Sequence, residues 1–112
     1  MNTTLTTILG AKKDWRATEA RADALPRDYR IVYGAMKSYM WRLTRGDGTD
    51  VVACLKEVLD DFEAGASRRA QVLDVTGDDV AAFCYRHLHG FGSPVDRRGS
   101  RLNRAVARKL AT

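Results

Sequence analysis

Apolar residues in this chain recur at every third or fourth position, and no strand-length run alternates apolar with polar. Helix faces repeat every 3.6 residues and strand faces every 2, so this spacing points to an all-α protein. Breakers at Gly10, Leu25-Pro26, Gly46-Asp47-Gly48, Gly77, Gly90 to Pro94 and Gly99 cut the chain into segments, most of them two to five helical turns long. With 112 residues there is enough surface to bury for one core without a metal or disulfide staple. The expectation is a single helical domain over 1–112, a compact bundle of about four to five helices that includes a C-terminal amphipathic basic helix.

The segments differ in the faces they offer. After a short turn at Thr3 to Leu9, residues 11–24 carry Ala11, Trp15, Thr18 and Ala22 on one stripe, with Leu25 three further on. Pro26 suits the first position of the next helix, expected over 26–44, and Asp28 places a negative charge at its N-terminus. This helix has two faces. Tyr29, Val32, Tyr33, Met36, Met40 and Leu43 form a broad core stripe with Tyr39 at its edge, while Ile31, Gly34, Ala35, Ser38 and Trp41 form a second face of mostly small residues. A mid-helix glycine costs about 1 kcal/mol relative to alanine, so Gly34 calls for a compensating contact. Either a neighbour within the chain or a homodimer seam would supply one, which makes Ile31, Gly34, Ala35 and Trp41 candidate interaction residues.

Over 50–69, capped by Thr49 or Asp50, the residues Val51, Cys54, Leu55, Val58, Leu59 and Phe62 make an apolar arc, leaving Lys56, Glu57, Asp60 and Glu63 to water. Val72 to Val75 reads as a connector. Thr76 and Asp79 then have capping-box spacing for a helix that buries Val80, Phe83, Cys84 and Leu88, with His87 on the same arc.

Three groupings invite a chemical reading. The carboxylates Glu57, Asp60 and Asp61 lack the glycine-bearing loop of a calcium site and read as a solvated helix face. Cys84, His87 and His89 string together metal-ligand types, yet zinc needs four ligands and the remaining thiol, Cys54, lies among core residues of another helix. A Cys84 nucleophile with His87 as base lacks an orienting third group. Gly90-Phe91-Gly92 follows a helix and runs into Pro94, unlike a phosphate loop. The expectation is therefore no catalytic residue, no metal, no cofactor and no enzymatic activity.

Charge supplies the more specific signal. Residues 1–90 hold 13 Lys+Arg against 13 Asp+Glu, so the net charge of +5 resides in the last 22 residues. The body 1–90 is charge-balanced, and 96–112 form a basic helix with Leu102, Val106 and Leu110 on one side and Arg101, Arg104 and Arg108 on the other. Such a helix can dock its apolar side on the bundle and leave its arginines for an acidic protein or, as the alternative, for nucleic acid. It carries no aromatic to stack a base. No apolar run approaches the roughly 20 residues that cross a bilayer. Lys12 and Lys13 follow the apolar N-terminal residues, where a signal peptide would have them first. Both cysteines sit among apolar neighbours, and a reducing cytoplasm is the expected location.

The order of landmarks resembles a known family. Gly10-Ala11-Lys12-Lys13-Asp14-Trp15-Arg16, Leu25-Pro26-Arg27-Asp28-Tyr29, Val32-Tyr33, Tyr39-Met40-Trp41, Phe62-Glu63-Ala64-Gly65-Ala66, and the run Val72 to Phe83 resemble the small bacterial proteins of domain-of-unknown-function family 1048. The terminal Leu102-Asn103-Arg104, Val106 and Arg108-Lys109-Leu110 are similar to that family's closing helix. The resemblance implies a compact all-helical domain and brings no catalytic residues with it. Members are often encoded beside transcription regulators of the phenolic-acid-decarboxylase repressor type, which implies a regulator as partner. Residues 85–101 depart from the family pattern. The combined expectation is a non-enzymatic protein-interaction or accessory regulatory protein, acting on a protein partner or on itself as a homodimer.

Overall fold

The punctuation resolves into six helices among the described residues, which are 3–43, 49–87 and 97–112 of a computed structural model, and no strand occurs among them. The expectations for Gly46-Asp47-Gly48, for Leu88 and His89, and for the run from Gly90 to Pro94 lie outside these residues, as do the side chains of Ala11, Leu43, Thr49 and Asp50.

α1 (Thr3–Asp23) runs through Gly10 without a break, so the expected turn and helix are one element. Gly10 is exposed, and an exposed glycine weakens a helix by only about 1 kcal/mol, too little to end it. Thr18 and Ala22 are buried, and the Thr18 hydroxyl is satisfied by donating to the Asp14 carbonyl at 2.9 Å. α2 (Arg27–Leu43) begins one residue after the expected start, because the Pro26 carbonyl accepts the Arg30 N–H at 3.0 Å and so stands at the cap.

α3 (Thr49–Ser67) ends where Arg69 adopts φ 62°, which lets the Ala70 N–H reach back to the Gly65 carbonyl at 2.9 Å. The expected connector is a one-turn helix, α4 (Val72–Thr76), with the Asp74 carboxylate accepting the Gln71 N–H at 3.3 Å. Gly77, at φ 78°, closes that turn through a 2.8 Å bond from its N–H to the Leu73 carbonyl. The capping expectation is thereby corrected. Thr76 belongs to α4 and its hydroxyl donates to the Gly77 carbonyl, while Asp79 caps α5 (Val80–His87) by accepting the Ala82 N–H at 3.0 Å. α6 (Arg97–Leu110) completes the chain.

α2 is the hub, packing against each of the other five helices. Its core stripe is buried as expected, with Val32, Met36 and Met40 fully enclosed. Facing it, Val51, Leu55, Val58, Leu59 and Phe62 of α3 are fully buried, and the Phe62 ring meets Tyr29 edge-on at 5.3 Å and stacks on Phe83 at 6.1 Å. The acidic face of α3 is less idle than a solvated face. Asp60 and Glu63 each lie 2.7 Å from Arg21 of α1, and Glu57 and Asp61 lie 2.9 and 3.5 Å from the two ring nitrogens of His87.

Candidate functional site

The small-residue face of α2 and the arginines of α6 meet at one place. Gly34, Ser38 and Arg42 fall at i, i+4 and i+8, a single line along α2, with Ala35 and Tyr39 beside it. α6 packs against α2 through the side opposite its arginines, which carries the docking residues. Leu102 and Val106 are buried, Leu110 is half-buried against the core, and α6 contacts both α2 and α5. A polar tie sets its position. The Asn103 side-chain oxygen accepts the N–H of buried Ala81 at 2.9 Å, and its amide nitrogen donates to Asp79 at 2.9 Å. The same Asp79 oxygen also accepts the Ala82 N–H, and the Asn103 and Ala82 bonds hold its carboxyl below the ordinary carboxylate range.

Between the two helices a groove of about 580 Å³ stays open. Gly34, Ala35, Ser38, Tyr39 and Arg42 form the α2 wall, while Leu102 and Ala105 with Arg101, Arg104, Arg108 and Lys109 form the α6 wall. Five cations thus share one concavity that no lining carboxylate enters. Gly34 contributes to the opening, since a Cβ built there would meet nothing within 4 Å. Among the described residues no atom supplies the compensating intrachain contact expected for this glycine, although α6 does pack on the same helix.

Four cations outside the groove are placed differently. Arg21 pairs with Asp60 and Glu63, Lys37 with Glu19 at 2.6 Å, Lys56 with Asp14 at 2.6 Å, and Arg27 with Asp28 at 2.9 Å. No ion pair among the described residues involves Arg42, Arg101, Arg104, Arg108 or Lys109. Arg108 and Lys109 complement the negative end of the α6 dipole, being in its last turn. Arg101 and Arg104 stand clear of that end, so the dipole does not account for them.

Of the residues singled out from sequence, the groove unites Gly34, Ala35, Arg101, Arg104 and Arg108. Ile31 is half-buried and does not line it. Trp41, 40% exposed, turns toward α1 and meets Trp15 edge-on at 6.1 Å. Arg42 and Lys109 were not singled out, although Arg42 could have been found as the next member of the Gly34, Ser38 line. The other candidate residues lie outside the groove. Cys84 is fully buried, and burial pushes its thiol well above the ordinary range. The ring of His87 engages Glu57, Asp61 and the edge of Phe83, while its carbonyl lies 2.6 Å from the Cys54 sulfur. Among the described residues no three His, Cys, Asp or Glu side chains cluster as a metal set, and no helix is long and apolar enough to cross a membrane.

The family model described as "Protein of unknown function (DUF1048)" matches residues 6–107. The chain belongs to this family. It is similar to a solved DUF1048 protein from Bacillus cereus ATCC 10987, whose crystal structure is described as a left-handed superhelix fold. The two are 44% identical over an alignment that covers 63% of this chain and 88% of that one, with a TM-score of 0.59. No curated protein matches it. The superhelix fold described for that relative agrees with the helical architecture here, and the family description names no activity.

Proposed function

We propose that this chain is a non-enzymatic protein-interaction module of the cytoplasm, an accessory or regulatory protein that offers the α2–α6 groove to an acidic surface of another protein. The observation that supports this reading is the contrast in charge placement. Three cations of the body, Arg21, Lys37 and Lys56, are paired with carboxylates across helices, whereas five cations line one groove together without a carboxylate among the lining residues. Uncompensated charge of one sign in a concavity focuses the local field and speeds encounter with an opposite surface. A second copy docked groove to groove would set arginine against arginine, so this face favours a different protein over a symmetric dimer. A transcription regulator, the partner class implied by the family resemblance, is of the kind this reading admits.

The test is capture from the native host after nuclease treatment, comparing the wild type with Arg101→Glu/Arg104→Glu/Arg108→Glu. The expected result is a protein partner retained by the wild type and lost by the triple variant, with helicity by circular dichroism unchanged. Capture that disappears with nuclease would favour nucleic-acid binding instead. A wild type that is dimeric by light scattering, and monomeric as Gly34→Leu, would return this face to self-association.

A further inference from the structure

We infer that the groove is shaped for one particular element of that partner, an acidic amphipathic α-helix lying along α2 and α6; the inference rests on the protein-contact reading above. Three observations carry it. The first is the pitch of the charges. Arg101, Arg104 and Arg108 are spaced by three and four residues over about 10 Å of α6, the repeat at which carboxylates at i, i+3 and i+7 line one face of another helix. Arg42 faces them from the α2 wall, so a helix between the walls has cations on both flanks.

The second is the size of the lining residues. Gly34, Ala35 and Ser38 on the α2 wall and Ala105 on the α6 wall are the residue sizes that let helix axes approach to about 8–10 Å, as a third helix seated between two others requires. The aromatic ring on the lining, Tyr39, is buried and offers no exposed face for stacking a base.

The third is Gly34 itself. A glycine is required where φ is positive or where a neighbour comes too close for a Cβ. Neither holds here, because Gly77 is the described glycine with positive φ and open space surrounds the Gly34 position. Among the described residues, nothing in the chain offsets the propensity penalty that the helix bears there. Close approach by a body from outside supplies that offset.

The experiment uses the full chain and three labelled probes in fluorescence anisotropy. One is an 18-residue helical peptide with glutamates at i, i+3, i+7 and onward, one is a scrambled peptide of the same composition, and one is an 18-base-pair DNA duplex. The periodic peptide is expected to bind at least fivefold more tightly than either of the others, and to lose at least fivefold on Arg104→Glu and on Gly34→Leu. The latter variant should melt no lower than the wild type, since its Cβ meets no described atom within 4 Å and leucine favours a helix over glycine. A scrambled peptide or duplex within fivefold of the periodic peptide overturns the inference, and so does Gly34→Leu binding like the wild type. If the peptide fails while nuclease-resistant capture persists, the acidic helix falls and the protein-contact reading stands; if capture is lost as well, both fall.

Discussion

Two helical glycines divide the molecule into a closed region and an open one. At Gly65 of α3 a Cβ would overlap the Val75 side chain and come to 2.8 Å from the Tyr29 hydroxyl, which is itself held by donating to the Ala70 carbonyl at 2.7 Å. α2, α3 and α4 are packed shut around that point. At Gly34, where α2 meets α6, a Cβ would touch nothing among the described residues. The difference separates two reasons for keeping a glycine. One is satisfied inside the chain and explains the fold, and the other is left over after the fold has been explained. Charge placement follows the same division. Cross-helix pairs hold α1 to α3 through Arg21 and Lys56, while the α6 side of the groove carries four cations and no carboxylate.

The largest expected effect tests the closed region. Gly65→Ala should destabilise by about 1–3 kcal/mol, the usual penalty for inserting a methyl into a filled site. It should lower the melting temperature by roughly 4–8 °C per kcal/mol in a domain near this size. A melting temperature equal to that of the wild type would mean that Val75 and Tyr29 yield freely, and the contrast with Gly34 would lose its meaning.

Much of this division was legible in the residues, though its geometry was not. Spacings of three and four identified the buried stripes because burial of a helix face depends on little else; Val32, Met36, Met40, Leu55, Leu59 and Phe62 are all fully enclosed. Capping was misplaced at Thr76 because Gly77 takes a positive φ that ends a helical turn there, and spacing alone does not carry dihedral information. Gly10 looked like a breaker and is not one, since an exposed glycine in a long helix costs too little to stop it. Gly34 and Arg104 each stood out in the sequence. Their presence in one groove follows from α6 docking on α2, a long-range choice settled in part by Asn103 and Ala81, 22 residues apart. The pairing of Arg21 with Asp60 and Glu63 spans about 40 residues and has no local signature.

A middle-sized effect sharpens the comparison by asking what holds the open region in place. Asn103→Ala should cost about 1–3 kcal/mol, because the buried Ala81 N–H loses its acceptor. The cost should also depend on pH. Asn103 is the largest cause of the lowered Asp79 pKa, so the ionised form of Asp79 is favoured in the folded state. Stability from a lowered carboxylate pKa is present above the ordinary carboxylate range and is lost as pH falls through the folded value. The gap between wild type and Asn103→Ala in denaturant melts should therefore be widest near neutral pH and narrow below about pH 4, without closing, since the Ala81 bond does not titrate. A gap that widens in acid would place the tie between α6 and α5 elsewhere.

The smallest effect has the most telling sign. Gly34→Ala adds one methyl to a helix interior at a position where it meets no neighbour, so it should stabilise by up to about 1 kcal/mol through helix propensity. The same substitution at Gly65 is expected to do the opposite, and the pair of melting temperatures measures the open and closed regions with one chemical change. A gain at Gly34 means that the native helix forgoes stability available from a single methyl, which packing within the chain does not explain. Peptide binding by that variant then decides what the glycine serves. A more stable protein that binds the periodic acidic peptide less well ties the forgone stability to close approach along the groove. A Gly34→Ala protein that melts lower than the wild type would show that α6 sits closer to α2 than an open groove allows, and the distinction between the two regions would fail at its weaker end.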